Sequence, residues 1–205
     1  MQTTIGVLGG TFNPIHIGHL IMAQDALDEF GLAKVLFVPS RMPPHKPALS
    51  ALAPARHRLA MLERAIEGEL RFEICGLELE RPGVSYTIDT IRALRQMYQG
   101  ATLLFLIGAD TLPELHTWKD IDSLLVLCEF GVMPRPGFQV NSECLARSGL
   151  KPPWPERLLQ NVGIGHGVRI SASDIRHRLA EGLSIRYLVH PEVEMYITEH
   201  GLYRS

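Results

Sequence analysis

TIGVLGGTFNPIHIGH, residues 4–19, is the stretch on which the fold turns. Thr4–Leu8 is a short apolar run, the mark of a strand buried on both faces. It breaks at Gly9-Gly10 into a loop. From Gly18 the residues Leu20, Ala23, Leu27 and Phe30 recur at helical spacing and stop at Gly31, a residue suited to closing a helix. Val35–Val38, ended by Pro39, is a second strand. Strand, glycine loop, helix and strand in so short a span predict a βαβ unit, a parallel pair with a right-handed crossover.

Working outward, Ser40–Pro54 carries Pro43, Pro44, Pro47 and Pro54 and reads as a loop. Arg56–Ile66 is helical by periodicity, and Phe72–Cys75 reads as a strand. Ser85-Tyr86-Thr87 opens a helix over Thr87–Tyr98, with Asp89 and Thr90 in its first turn. Thr102–Ile107 is the most apolar strand and ends at Gly108-Ala109-Asp110; Leu124–Met133 gives another before Pro134 and Pro136. Phe138–Gly167 is the least legible part. Val168–Ile170 reads as a final strand, followed by helices near Ser173–Glu181 and Pro191–His200. The alternation predicts an α/β fold, a Rossmann-like open, mostly parallel sheet with helices on both faces. Residues 1–205 are expected to form a single domain, with a C-terminal helical portion from about residue 171.

Composition narrows the class. The chain has 205 residues, 46% apolar and 20% charged, the profile of an ordinary globular protein with one buried core. A net charge of -2 argues against a nucleic-acid partner, which calls for a basic surplus. Arginine dominates the cations, since Lys34, Lys46, Lys119 and Lys151 are the only lysines. Cys75, Cys128 and Cys144 have no C-x-x-C spacing, and each lies in or beside an apolar run, so buried free thiols are expected. The start of the chain has no basic-then-apolar targeting pattern, and no apolar stretch is long enough for a membrane span. A cytoplasmic protein with no membrane partner is the expectation.

In an open parallel sheet, ligands bind beyond the carboxyl ends of the strands. The loop Gly9-Gly10-Thr11-Phe12 lets backbone approach a ligand and feeds a helix N-terminus, whose unpaired N–H groups favour phosphate. His16 and His19, three apart, can point the same way there, and an imidazole N–H can stabilise charge on a phosphoryl group in flight. One histidine beside a glycine loop is ordinarily a capping or surface residue; two at this spacing outweigh that reading. The loop is neither G-x-x-x-x-G-K-[ST] nor G-x-G-x-x-G, and no cysteine pair completes a zinc site with the two histidines. No protein-held metal is expected. Ser171 and Ser173 can cap a second helix with Arg176 one turn in, a second anion site; alone, this would be an ordinary capped helix.

GGTFNPIHIGH and ISASDIR together resemble the nucleotidyltransferase superfamily of cytidylyltransferases and adenylyltransferases, distantly similar to class I aminoacyl-tRNA synthetases. PPHK at 43–46, SYTIDT at 85–90, IGAD at 107–110, Trp118, RPG at 135–137 and the ending ITEHGLYRS occur in the order of the bacterial nicotinate mononucleotide adenylyltransferases. The match covers nearly the whole chain and is weakest over 138–167. Asn13 departs from it, standing where the family more often has aspartate.

The resemblance implies transfer of AMP from ATP to nicotinate mononucleotide, giving nicotinate adenine dinucleotide and pyrophosphate, with Mg2+ held mainly through the ATP phosphates. It implies catalytic roles for His16 and His19. ATP would be bound by Gly9, Gly10, Thr11, Phe12, His16, His19, Gly108, Asp110, Ser171, Ser173 and Arg176. The acceptor would meet His45, Lys46, Tyr86, Thr87, Asp110, Trp118 and Arg135. Read from the residues alone, Trp118 is a stacking platform or core packing, and Thr87 a carboxylate donor or a plain helix cap. Alternatives are a sister adenylyltransferase for nicotinamide mononucleotide or phosphopantetheine, a nucleotide sensor without turnover, and a zinc hydrolase. Assembly as a homo-oligomer stays open.

Overall fold

The computed structural model describes residues 3–44 and 52–204. Five parallel strands form one sheet: β1 (Thr4–Gly10), β2 (Lys34–Pro39), β3 (Phe72–Ile74), β4 (Thr102–Gly108) and β5 (Glu129–Met133), in the order β3-β2-β1-β4-β5. Sequential strands run outward from β1 to β3, and the chain then returns to place β4 on β1's other side. Strand order therefore reverses between β1 and β4, and a crevice opens beyond their carboxyl ends.

Alternating side chains of the central strands feed two cores. Leu103, Phe105 and Ile107 pack on one face with Ile88, Ile91, Leu94 and Leu124. Leu104 and Leu106 pack on the other with Leu27, Met61, Ile175, Val193 and Ile197. Burial on both sides is why these strands read as unbroken apolar runs. The first face is covered by α4 (Thr87–Met97), a 3-10 helix (Ala109–Thr117) and α5 (Ile121–Leu127). The second carries α1 (Ile17–Glu29), α2 (Ala55–Ile66), α8 (Ala172–Ala180) and α9 (Pro191–Glu199). Short helices α3 (Leu77–Glu80), α6 (Ser142–Ala146) and α7 (Trp154–Gln160) complete the described elements. Gly31 closes α1 in the left-handed region, at φ 57.

Two expected strands are corrected. Leu124–Leu127 belongs to helix α5, and the strand starts only at Glu129. Leu124 and Leu125 are buried while Val126 is 72% exposed, a helical rhythm hidden in a run too apolar for its period to show. Val168–Ile170 forms no strand. The free edge of β5 is met instead by Val162, bridged in parallel to Val132, with Gly163 donating to the Val132 carbonyl. The chain then crosses α1, where Glu29 accepts from the Ile164 N–H at 2.8 Å and Asp25 from the His166 N–H at 2.6 Å. Cys75 and Cys128 are buried free thiols as expected; Cys144, on the five-residue helix α6, is only half-buried.

Candidate active site

A cleft of about 470 Å³ lies beyond β1 and β4, between the two halves of the sheet. Gly9, Gly10, Thr11 and His19 form one wall. Gly108, Asp110, Arg135, Trp118, Tyr86 and Thr87 form the others. Thus residues more than a hundred positions apart meet because β1 and β4 are neighbours.

The glycines permit close packing. A Cβ on Gly9 would come within 3.2 Å of the Phe105 ring, and one on Gly108 would overlap Asp110 Oδ1. Phe12 does not face the cleft. Its ring is 1% exposed and packs edge-on to His19, with centroids 5.1 Å apart.

His16 and His19 meet at the start of α1, their rings stacked at 3.7 Å. His19 lines the cleft, and its Nδ1 accepts from the His16 backbone N–H at 3.2 Å. That bond places the proton of a neutral His19 ring on Nε2, leaving a donor rather than an acceptor there. His16 is only 3% exposed and lies behind its neighbour, outside the cleft wall. Burial, helped by the Arg135 charge, pushes the His16 pKa down to about 3, so it is neutral at physiological pH. Its Nδ1 is buried and makes no hydrogen bond among the described residues.

Helix α8 approaches the same loop from the other side. Ser171 caps it by accepting from the Asp174 N–H at 3.1 Å. Arg176 donates to Ser173 Oγ at 3.3 Å and to the Asn13 carbonyl at 2.7 Å. Arg135, just beyond β5, sits 3.5 Å from Asp110 and donates to the Val168 carbonyl at 2.9 Å. It borders both the cleft and a second groove that Val168, Ile170 and Ser171 line.

On the opposite wall, Trp118 stands edge-on to Phe105 at 5.8 Å while one part of it meets the cleft, so it is both core and wall. Tyr86 is the N-cap of α4 and Thr87 its first residue, one position later than a Thr87 cap would require. His45 and Lys46 lie outside the described residues.

Several cleft residues carried no signal in the sequence. Lys119 reaches the Tyr86 ring at 4.3 Å and Asp89 at 3.2 Å. The buried Ser40 hydroxyl lines the cleft without a hydrogen bond among the described residues. Glu78, 6% exposed, accepts from the Thr90 hydroxyl, which in turn accepts from Arg81 at 3.0 Å. Ser40 and Lys119 lie beside residues that did stand out, Pro39 and Trp118. Glu78 lies between the predicted strand at Phe72–Cys75 and the helix start at Ser85.

An open parallel sheet whose first glycine loop and His19 face a crevice at the strand-order reversal, with His16 stacked behind, defines a nucleotidyltransferase. The cytidylyltransferase-like family model matches residues 7–178. A Thermomicrobium roseum protein named as a probable nicotinate-nucleotide adenylyltransferase is 44% identical over all of this chain and 93% of its own length. Its namesake from Pelobacter propionicus is 43% identical, with 97% of each chain covered. The nicotinic acid mononucleotide adenylyltransferase of Plasmodium falciparum, complexed with NaAD, shares the fold at a TM-score of 0.79 and 19% identity, over 98% of this chain and 97% of that one. The chain belongs to the nicotinate-nucleotide adenylyltransferase family.

Proposed function

We propose that this protein joins the AMP of ATP to nicotinate mononucleotide, releasing pyrophosphate, in the cleft between β1 and β4. The carrying observation is the two-sided wall: glycine amides and His19 on one side, Trp118 with the start of α4 on the other. A triphosphate suits the first, and an aromatic acid the second.

An oxygen of the acceptor's phosphate attacks the α-phosphorus of ATP in line. The new O–P bond forms as the bond from the α-phosphorus to the bridging oxygen breaks, and pyrophosphate leaves with that electron pair. The nucleophile is already an anion, so no base is required, and catalysis rests on positioning and charge stabilisation. His19 donates from Nε2 to the α-phosphate. His16, neutral and stacked behind it, fixes the ring without adding a charge. The loop amides of Gly10–Phe12 hold the triphosphate, and Ser171, Ser173 and Arg176 follow the β and γ phosphates. Gly108 and Asp110 take the ribose of ATP, which leaves its purine to the groove beside Val168 and Ile170.

The nicotinate ring lies against Trp118 and Tyr86. Its carboxylate meets Thr87 and the N-terminal amides of α4, with the Lys119 charge close by. A nicotinamide in the same place would bring no charge for that end of the helix to stabilise. Ser40 and Arg135 serve the acceptor's ribose and phosphate.

No three His, Cys, Asp or Glu side chains gather to hold an ion among the described residues. Asp110 is a single carboxylate at the nucleotide's edge, a donor set that fits Mg2+ carried by the phosphates. When bound, the ion would neutralise phosphate charge and draw off electrons from the leaving group. No described helix is long and apolar enough to cross a membrane.

The test is pyrophosphate release from purified protein, ATP and magnesium with nicotinate mononucleotide, nicotinamide mononucleotide or phosphopantetheine. Release with the first and weak or absent release with the others is expected. A clear preference for either rival would move the assignment to a sister enzyme. Release with none of them, despite ATP binding, would favour a sensor.

A further inference from the structure

Phe12 links the glycines to the histidines at φ 46, in the left-handed region that an aromatic residue rarely adopts. Such a conformation persists only where the surroundings over-determine it. The surroundings are unusual. Arg58, on α2, is 1% exposed, and no carboxylate among the described residues pairs with it. Its guanidinium donates instead to backbone carbonyls, from Nε to Ala53 at 3.0 Å and from a terminal nitrogen to Thr11 at 2.7 Å. The second bond holds the peptide that joins Thr11 to Phe12.

The neighbouring residue is fastened as well. Asn13 is 5% exposed, and its Oδ1 accepts from the Ala53 N–H at 3.0 Å and from the Tyr203 hydroxyl at 2.8 Å. Tyr203 is itself in the left-handed region, at φ 63, near the end of the chain. Both side chains reach the loop from behind, and neither lines the cleft. A buried cation without a counter-ion costs stability, since burial disfavours its charge. Spending it on two carbonyls makes sense where those carbonyls need an exact place.

We propose that Arg58 and Tyr203 are positioning residues of the phosphate loop, clamping Thr11–Asn13 from behind so that the loop's donors and the His19 ring stand ready for a triphosphate before it binds. The inference rests on the function proposed above, because it assumes that this loop receives ATP. Among the described residues no carboxylate answers the Arg58 charge under the loop, and an incoming triphosphate would complement it. Lysine in its place keeps the charge and loses the planar fork that bonds both carbonyls at once.

The experiment measures calorimetric binding of α,β-methylene-ATP with magnesium, and separately of nicotinate mononucleotide, to Arg58→Lys, Tyr203→Phe and the unchanged protein. Arg58→Lys should weaken the ATP analogue about 30-fold and Tyr203→Phe about fivefold, the sizes expected for a charged and a neutral hydrogen bond. Affinity for nicotinate mononucleotide should change far less in both. Millimolar guanidinium should restore analogue binding to Arg58→Gly, a rescue that a general loss of folding would not show. Equal weakening of both ligands, or unaltered analogue binding in Tyr203→Phe, would overturn the proposal. Should Arg58→Lys fail to fold, Tyr203→Phe decides, because it removes one hydroxyl and keeps the ring. If the unchanged protein binds both ligands yet releases no pyrophosphate, the functional reading fails, while the clamp still stands or falls on the analogue's affinity.

Discussion

At the scale of single residues, His19 and His16 take different places although their spacing predicts that both point the same way. His19 lines the cleft and is held as an Nε2–H donor, whereas His16 is buried behind it and kept neutral. His19→Ala should lower kcat by about 100-fold or more, the usual effect of removing one donor to a charge that develops in the transition state. Its urea midpoint should fall only modestly, because the ring is partly exposed at the cleft although it also packs on Phe12 and His16. Steady-state kinetics beside denaturation curves check this, and an undiminished kcat would remove the role given to His19. Asn13 is legible in a different way. It stands where the family more often has aspartate, and its Oδ1 accepts the same two hydrogen bonds that a carboxylate oxygen would accept. An aspartate there could accept the same two bonds and would add a negative charge beside the loop.

At the scale of elements, the segment 163–167 gains a definite place. It runs along α1 because Asp25 and Glu29, four apart and so on one face of that helix, capture its backbone N–H groups. Its glycines make the approach possible. A Cβ on Gly165 would fall 2.9 Å from both Cβ and Cγ of Asp25, atoms too near the helix backbone to swing aside. Gly165→Ala should destabilise the fold by about 1–3 kcal/mol, as overpacking ordinarily does. Urea denaturation reads that loss directly. A midpoint equal to that of the unchanged protein would show that the strap lies loosely on α1. The same geometry explains why this stretch resisted reading: its partners are carboxylates some 140 positions earlier, and no local period encodes them.

At the scale of the whole molecule, the buried His16 makes stability depend on pH. The folded state holds it near pKa 3, while an unfolded chain would return it to about 6.5. Between those values the unfolded state binds the extra proton, so stability rises with pH through this window and its contribution is complete above about 6.5. It is lost as pH falls toward 3, with a slope of at most about 1.4 kcal/mol per pH unit. His166, whose pKa Asp25 raises, acts in the opposite sense, stabilising at low pH and losing that effect as pH rises through its folded value. Comparing His16→Gln with the unchanged protein isolates the first effect, since His166 is common to both. Denaturation midpoints across this range should fall more steeply with acid in the unchanged protein. Parallel curves would mean that His16 is not buried in the way described.

The sequence by itself determined the elements with a local period or punctuation. These were the βαβ start, the continuous strand at 102–107, the capped helix after Ser171 and the glycine loop with its histidines. Two-sided burial, helical spacing and turn residues are all written within a few positions of one another. The cleft-facing part of His19 against the buried part of His16, the helical state of 124–127, and the use of Arg58 and Tyr203 behind the loop were decided only by tertiary structure. Each depends on which distant residue fills the neighbouring space: Ala53 and Thr11 for a guanidinium, Asn13 for a phenol, the sheet's face for a run of leucines. Burial and hydrogen-bond partnership are properties of the packed chain, and a sequence records them only where the partner happens to lie nearby.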